Sequence, residues 1–566
     1  MDAQRELLQR NDPEVFAAIA GEECRERRGI ELIPSENYTY PEVFAALGSV
    51  LTNKYAEGYP GRRYYGGQTY TDAIEELARA RARAVFRCEH ANVQPLSGSP
   101  MNQAVYFAFL APGDTVLAMD LAHGGHLTHG APVSHMGRVF RFVRYRTRPA
   151  EGGRIDVDEV RRLARETRPK IVLCGSTSYP REYDYAAFKA IADEVGALTM
   201  ADVSHVGGLI AAGVLRNPFD DGFDVVTTTT HKSLRGPRAG LVLCRRAHAA
   251  AIDQSVFPGL QGGPHMNTVA AVAVALKKAQ EPAFAIYGAQ VLRNARALAD
   301  RLLERGCTLV TGGTDNHMLV LDTMATAGLD GRAAEQRLDA VGITTNKQII
   351  PDDPNPPLRP SGIRVGTPAA TTRGMREAEM RQLGDWIADT LRDGSDADAR
   401  EDRRRAVEAL CERFPVPGLR KRASQSKSRA ARRRRRGLGG ETEARCVFRA
   451  SFNLPPPRRR RRGALQAELG TAVELARRTR AQARSDSAVP APPRASPQTS
   501  ARRSGAGTAR WAARRNGVPG AGVSRLHSGG IACSRRARQA AATVRAPAAP
   551  NSPTAPLIEV RCTPAA

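Results

Sequence analysis

Apolar positions along this chain recur in two alternating rhythms. Short unbroken runs rich in β-branched residues, at 115–119, 171–174, 197–202, 224–230 and 241–244, have the length and composition of buried strands. Between them the apolar residues return every three or four positions, which predicts helices over 71–87, 101–110 and 184–195. The stretch 93–100 predicts a further short strand that runs into a Gly/Ser turn. Strand, helix and strand in succession predict a mainly parallel sheet covered by helices. A helix over 268–280 then leads to a smaller α/β unit. It comprises helices over 287–305, 331–341 and 375–391, with strands near 317–321 and 362–366. Before the sheet, Asp12 and Pro13 open one helix in the way a cap and a first-turn proline do, and Pro41 opens another. The implied organisation is an arm (1–52), a large domain (53–280), a smaller C-terminal domain (281–420) and a tail (421–566).

Charge changes the picture only for the tail. The chain of 566 residues carries a net charge of +26. From Lys421 onward there are 32 Lys+Arg and 6 Asp+Glu, so the remainder holds 52 of each sign and is neutral. The tail has few apolar residues, and its large single-sign charge predicts disorder. Its arginine blocks, 432–436 and 458–462, suit non-specific contact with nucleic acid. One tryptophan and no tyrosine leave it without stacking platforms. Its Arg/Ala/Pro/Ser composition is also what wrong-frame translation of GC-rich sequence gives. The nine cysteines form no CxxC or metal-ligand spacing, so no metal is expected. No apolar leader opens the chain and no run of about 18 apolar residues occurs, so a cytoplasmic protein without a membrane span is expected.

Polar residues gather where the predicted strands end: Ser97 to Ser99, His123 to His126, Ser176 to Ser178, Asp202 with His205, and His231 with Lys232. Ligands of α/β sheets bind at those ends. A turn of small residues opening a helix, Ser97-Gly98-Ser99, offers N–H groups and hydroxyls to a phosphate. A lysine of lowered pKa forms Schiff bases with aldehydes. A carboxylate such as Asp202 can hold a protonated ring nitrogen, and an imidazole such as His126 can lie on a ring face. Phosphate, aldehyde and pyridinium together describe pyridoxal 5'-phosphate. A second unusual stretch, 53–67, packs four of the chain's thirteen tyrosines with Glu57, Arg62 and Arg63 into a Gly-rich loop, where function is often carried.

Five runs carry a family resemblance: 227–238 around His231 and Lys232, 54–67 around Tyr55 and Glu57, 122–130 around His126, 257–264 around Gly262 and Gly263, and 361–368 around Arg364. In this order, over about residues 10 to 420, the chain resembles serine hydroxymethyltransferase (glycine hydroxymethyltransferase). The resemblance implies a fold-type I pyridoxal-phosphate-dependent transferase. Its reaction would be the reversible conversion of serine and tetrahydrofolate to glycine and 5,10-methylenetetrahydrofolate. By the same resemblance Lys232 carries the cofactor, Asp202 pairs with the ring nitrogen, His126 stacks on the ring and His205 lies near the ring hydroxyl. His231 counts with Lys232, Glu57, Tyr65 and Asp202 among the catalytic residues, and Thr177 binds the cofactor. Ser99 and Gly98 hold the phosphate, with Tyr55, Gly262 and Gly263 reaching it from a neighbouring subunit of a homodimer that shares its active sites, alone or within a tetramer. Arg364, Ser35 and Tyr65 grip the substrate carboxylate, and Glu57 moves a proton at the hydroxymethyl group. Folate lies against Leu121, Gly125, His126, Leu127, Asn346, Pro356, Pro357 and Leu358. The chain departs from the family pattern at Pro100-Met101 (usually Gln-Ala), Thr177, Ser233 and Ala239. A threonine-aldolase-like enzyme would share Lys232 and Asp202 but would not need the tyrosine loop or the folate stretch.

Overall fold

The computed structural model describes residues 2–393 and 396–419. The basic tail lies outside the described residues, and so does the disorder expected of it.

The β-branched runs pair into one seven-stranded sheet. In chain order its strands are β1 (His90–Asn92), β2 (Thr115–Met119), β3 (Arg141–Tyr145), β4 (Ile171–Gly175), β5 (Leu198–Asp202), β6 (Val225–Thr229) and β7 (Gly240–Cys244). Their order across the sheet is β1-β7-β6-β5-β4-β2-β3. Only β7 runs against its neighbours; the pairs β6–β5, β5–β4, β4–β2 and β2–β3 are parallel. The period-two alternation of side chains explains why the runs are apolar throughout. Leu117, Met119, Val172 and Cys174 enter a core on one face, and Val116, Ala118, Ile171 and Leu173 enter a core on the other. The first core is completed by α1 (Thr69–Phe86) and the second by α2 (Gly98–Phe109).

A second sheet is antiparallel: β8 (Thr308–Leu309), β9 (Met318–Asp322), β10 (Asn346–Gln348) and β11 (Gly362–Gly366), in the order β8-β9-β11-β10. It has its own core, built with α3 (Pro282–Glu304), α4 (Gly331–Ala340) and α5 (Glu377–Asp393). The arm joins this core. Ile30 and Glu31 pair in parallel with Ile343 and Thr344, and both isoleucines are fully buried.

One expected strand is displaced. The stretch 93–100 is not a strand, because the ladder ends at Asn92 and Pro95 has no N–H to continue it. Ser97 is already the cap of α2, which starts at Gly98 rather than at Met101. Met101, where the family usually has alanine, is fully buried against Gly240. Pro100 sits in the first helical turn, where its missing N–H costs no helical bond.

Candidate active site

The parallel strands end side by side, and each end delivers one piece of the site. Asp202 is the last residue of β5. Its neighbour on β4 is Gly175, whose φ is +149°; a Cβ there would lie 2.6 Å from the Asp202 carbonyl oxygen, so only glycine lets the strands close beside the carboxylate. Asp202 is buried and fully engaged. Its Oδ2 accepts from Asn102 Nδ2 (2.8 Å) and pairs with His129 Nε2 (3.1 Å). Its Oδ1 accepts from Ser204 N (3.1 Å) and Ser204 Oγ (2.6 Å). Burial pushes the carboxyl pKa up, but the His129 and Ser204 hydrogen bonds and the His129 and His126 charges outweigh it and hold it below the usual carboxylate range. Asn102 is itself fixed by Thr227 Oγ1 (2.9 Å) on β6 and donates to Thr128 Oγ1 (2.9 Å).

The run after β2 is glycine-rich for a steric reason. A Cβ on Gly125 would meet the Met119 carbonyl oxygen at 2.2 Å, so the chain folds back directly onto the strand end. This places His126 beside Asp202. His126 Nδ1 accepts from Thr128 N (3.1 Å), and burial, with the charges of His129, Lys232 and Arg364, draws its pKa down to about 4. It is a neutral, half-buried ring.

Lys232 follows β6 by three residues. Its amine makes no hydrogen bond or ion pair among the described residues, and burial, aided by Arg364 and Arg238 against the pull of Asp202, lowers its pKa to about 8. The backbone around it is clamped by the arm. Asn37 Nδ2 donates to the Lys232 carbonyl (3.1 Å) and to Tyr287 Oη (2.9 Å), while Thr372 Oγ1 donates to Asn37 Oδ1 (2.7 Å). His231 Nδ1 is buried without a partner among the described residues, and burial with Arg238 and Lys232 takes that ring's pKa to about 3.

Arg364 comes from β11 and is buried. It donates from Nε to Asn346 Oδ1 (3.2 Å), from Nη1 to the Thr177 carbonyl and to His205 Nε2 (3.5 Å), and from Nη2 to Ser35 Oγ (3.5 Å). Among the described residues no carboxylate pairs with it, and burial lowers its pKa to about 10. The Thr177 hydroxyl is committed to the Gly125 carbonyl (2.9 Å). His205 is buried and neutral.

The tyrosine loop forms a separate cluster. A hairpin, Gly58–Tyr59 with Arg62–Arg63, turns at Pro60-Gly61, where Gly61 has φ +73°. The buried Arg63 braces it through Glu75 (2.6 Å), Asp72 (2.8 Å) and the carbonyls of Ala56 and Gly58. Tyr55 and Tyr65 meet edge-on with centroids 5.0 Å apart, and the Glu57 charge beside Tyr55 raises the phenol pKa. Gly262 and Gly263 pack on Glu57 and on the Tyr55 ring. Among the described residues no hydrogen bond joins this cluster to Lys232, Asp202 or Arg364. Ser99 is exposed at the start of α2, whose end no side chain caps. Leu127, Pro356, Pro357 and Leu358 are exposed, Leu121 and Asn346 are half-buried, and the loop carrying residues 356–358 is tied to the end of β2 by His123 Nε2 and Asp352 Oδ1 (3.3 Å).

Sequence reasoning did not single out Asn102, His129, Ser204, Asn37 or His317. His129 had a signal, since it stands three residues after His126 in the same glycine-rich run.

An unpartnered lysine of lowered pKa, an ionised buried carboxylate, a neutral imidazole and an uncapped helix start fit a phosphorylated aldehyde with a basic ring nitrogen. Fold and site therefore define the class, an α/β enzyme whose residues suit pyridoxal phosphate. Residues 8–387 match the family described as serine hydroxymethyltransferase. The chain is 52% identical over 412 residues to a serine hydroxymethyltransferase of Desulfotalea psychrophila (73% of this chain, 96% of the relative). It is 51% identical over 409 residues to one of Koribacter versatilis (72% and 95%). The chain belongs to the serine hydroxymethyltransferase family.

Proposed function

We propose that this site carries out the family's reaction, with Lys232, Asp202 and Arg364 as its central groups. The chain transfers the hydroxymethyl group of serine to tetrahydrofolate, reversibly and with pyridoxal phosphate, giving glycine, 5,10-methylenetetrahydrofolate and water. The observation that carries the site assignment is Arg364, a buried cation without an anionic partner among the described residues, set in the same electrostatic field as the Lys232 amine. Such a cation calls for an anion, and a planar guanidinium suits an amino acid's carboxylate.

Lys232, Asp202, His126, His205, Gly98 and Ser99 would hold the cofactor. Once bound, pyridoxal phosphate supplies an electron sink for charge that develops at the substrate's Cα. Asp202 keeps a proton on the ring nitrogen, and its four hydrogen bonds fix both carboxylate oxygens before any ligand arrives. The lowered pKa of Lys232 makes its neutral, nucleophilic form accessible near neutral pH. Ser35 and Arg364 orient the carboxylate, and Asn346 ties that grip to the folate-facing loop. Glu57 moves a proton at the hydroxymethyl oxygen beside Tyr55 and Tyr65. The exposed aromatic face of that loop suits a homodimer in which Tyr55, Gly262 and Gly263 complete the partner's site. A division into large and small domains is supported by the cores on the two faces of the seven-stranded sheet and the separate core of the antiparallel sheet, which the arm joins.

The test is an absorbance titration of purified enzyme. A visible cofactor band that shifts with glycine, and shifts further when tetrahydrofolate is added, is expected. A band that ignores tetrahydrofolate would point to an amino-acid aldolase.

A further inference from the structure

His317 stands just before β9, is fully buried, and has no part in the reaction as assigned to the residues around it. Its Nε2 lies 3.4 Å from His205 Nδ1, and the two ring planes are 18° from parallel with centroids 5.6 Å apart. On its other side His205 Nε2 lies 3.5 Å from Arg364 Nη1. The direction of these contacts is forced. A guanidinium only donates, so His205 Nε2 must accept. Burial and the charges of Arg364 and Lys232 keep both rings neutral. The single proton of His205 is then on Nδ1, and His317 Nε2 must accept it. The proton of His317 is left on Nδ1, which makes no well-formed hydrogen bond, although the Pro34 carbonyl nearby favours a proton on that ring.

The donors of Arg364 can be counted on the same basis. Nε–H is taken by Asn346; the two Nη1–H groups are taken by the Thr177 carbonyl and His205; one Nη2–H faces Ser35. One Nη2–H remains, on the Ser35 side. His205 thus saturates Nη1 and leaves Nη2, with the Ser35 hydroxyl, for a carboxylate. It can do so only while His317 accepts its Nδ1 proton, because otherwise a buried N–H is left unpaired and the tautomer that faces Arg364 is disfavoured.

We propose that His317 is a positioning residue for amino-acid binding. Through the tautomer of His205 it fixes which edge of the Arg364 guanidinium faces the substrate carboxylate. The proposal rests on the reading of Arg364 as the carboxylate grip. Contacts of 3.4–3.5 Å are at the long end for hydrogen bonds, so this chain of groups has room to tighten on a carboxylate.

The experiment is steady-state kinetics of the holoenzyme with His317→Phe, which keeps a ring but lacks the acceptor, and His317→Gln, which restores an acceptor. His317→Leu serves if the phenylalanine variant does not fold. His317→Phe is expected to raise the KM for serine and weaken glycine binding, followed by the cofactor band, by roughly 10-fold, the scale of one hydrogen bond to a charged group. The kcat and the KM for tetrahydrofolate should hold within about threefold. His317→Gln should recover most of the loss. If the KM values for serine and tetrahydrofolate move together, if His317→Gln is no better than His317→Phe, or if only thermal stability falls, the proposal is overturned. Arg364→Lys separates the two readings. If it leaves the KM for serine unchanged, the grip itself is misassigned; if it raises that KM while His317→Phe does not, only the role of His317 fails.

Discussion

Two regions of this molecule meet the demands of catalysis in opposite ways. Around Asp202 both carboxylate oxygens are held by side chains and backbone of the same chain: Asn102, His129 and Ser204 on the carboxylate, Thr227 behind Asn102. Around Tyr55 the scaffold is equally firm, braced by Arg63, Glu75 and Asp72, but the working groups face outward, with Tyr55 55% and Tyr64 74% exposed. The first region holds one arrangement of charge before any ligand binds. The second leaves Tyr55, Tyr64 and Tyr65 open to solvent. Pre-organisation is thus concentrated at the strand ends around Asp202, while the tyrosine loop is a firm scaffold with exposed rings.

Breaking the first region should cost most. Lys232→Ala is expected to abolish measurable turnover, a loss on the order of 10³-fold or more in kcat/KM, with loss of the amine-linked cofactor band. Asp202→Asn keeps the shape but removes the charge that His129 and Asn102 hold. A fall of about 10²–10³-fold in kcat is expected, with cofactor content assayed in parallel. In the second region, Glu75→Gln leaves Arg63 buried without its nearest anion and should destabilise the protein by about 3–5 kcal/mol in denaturant titration. Catalysis at low temperature should survive this change if the loop still forms, which separates scaffold from chemistry.

The smallest effect is on pH dependence. Folded protein without cofactor resists protonating Lys232, whose pKa falls from 10.5 to about 8, whereas the unfolded chain does not. The stability penalty is therefore full below pH 8 and fades as pH rises towards 10.5. Lys232→Met should remove this component, so its stability measured from about pH 7.5 to about 10 should rise less than that of the unmutated protein. Equal slopes would show that Lys232 is not held low.

The strands that build the site were legible because both of their faces are buried, which leaves continuous apolar runs such as Thr115–Met119 and 171–174. The Arg141–Tyr145 strand was not, because it lies at the sheet edge and interleaves Arg141 and Arg144 with its apolar positions. The helix Ala397–Arg413 leaves little apolar rhythm in the sequence, since it buries only Val407, Leu410 and Cys411. In the site, Lys232, Asp202, His126 and Arg364 carry chemical signatures at motif spacing. Asn102, Ser204 and His317 do not; each gains its meaning from a partner at least 100 residues away or from a neighbouring turn, and such pairings exist only once the sheet has formed.

The amide of Asn37 has a consequence for how the protein is made. Its three partners, the Lys232 carbonyl, Tyr287 and Thr372, leave the ribosome long after it does, the last of them 335 positions later. A nascent chain shorter than that has the reactive lysine's loop without its full clasp. The cell thus receives a finished clamp on that residue's backbone only when synthesis of the folded body is almost complete, and fragments released early carry the lysine without this restraint.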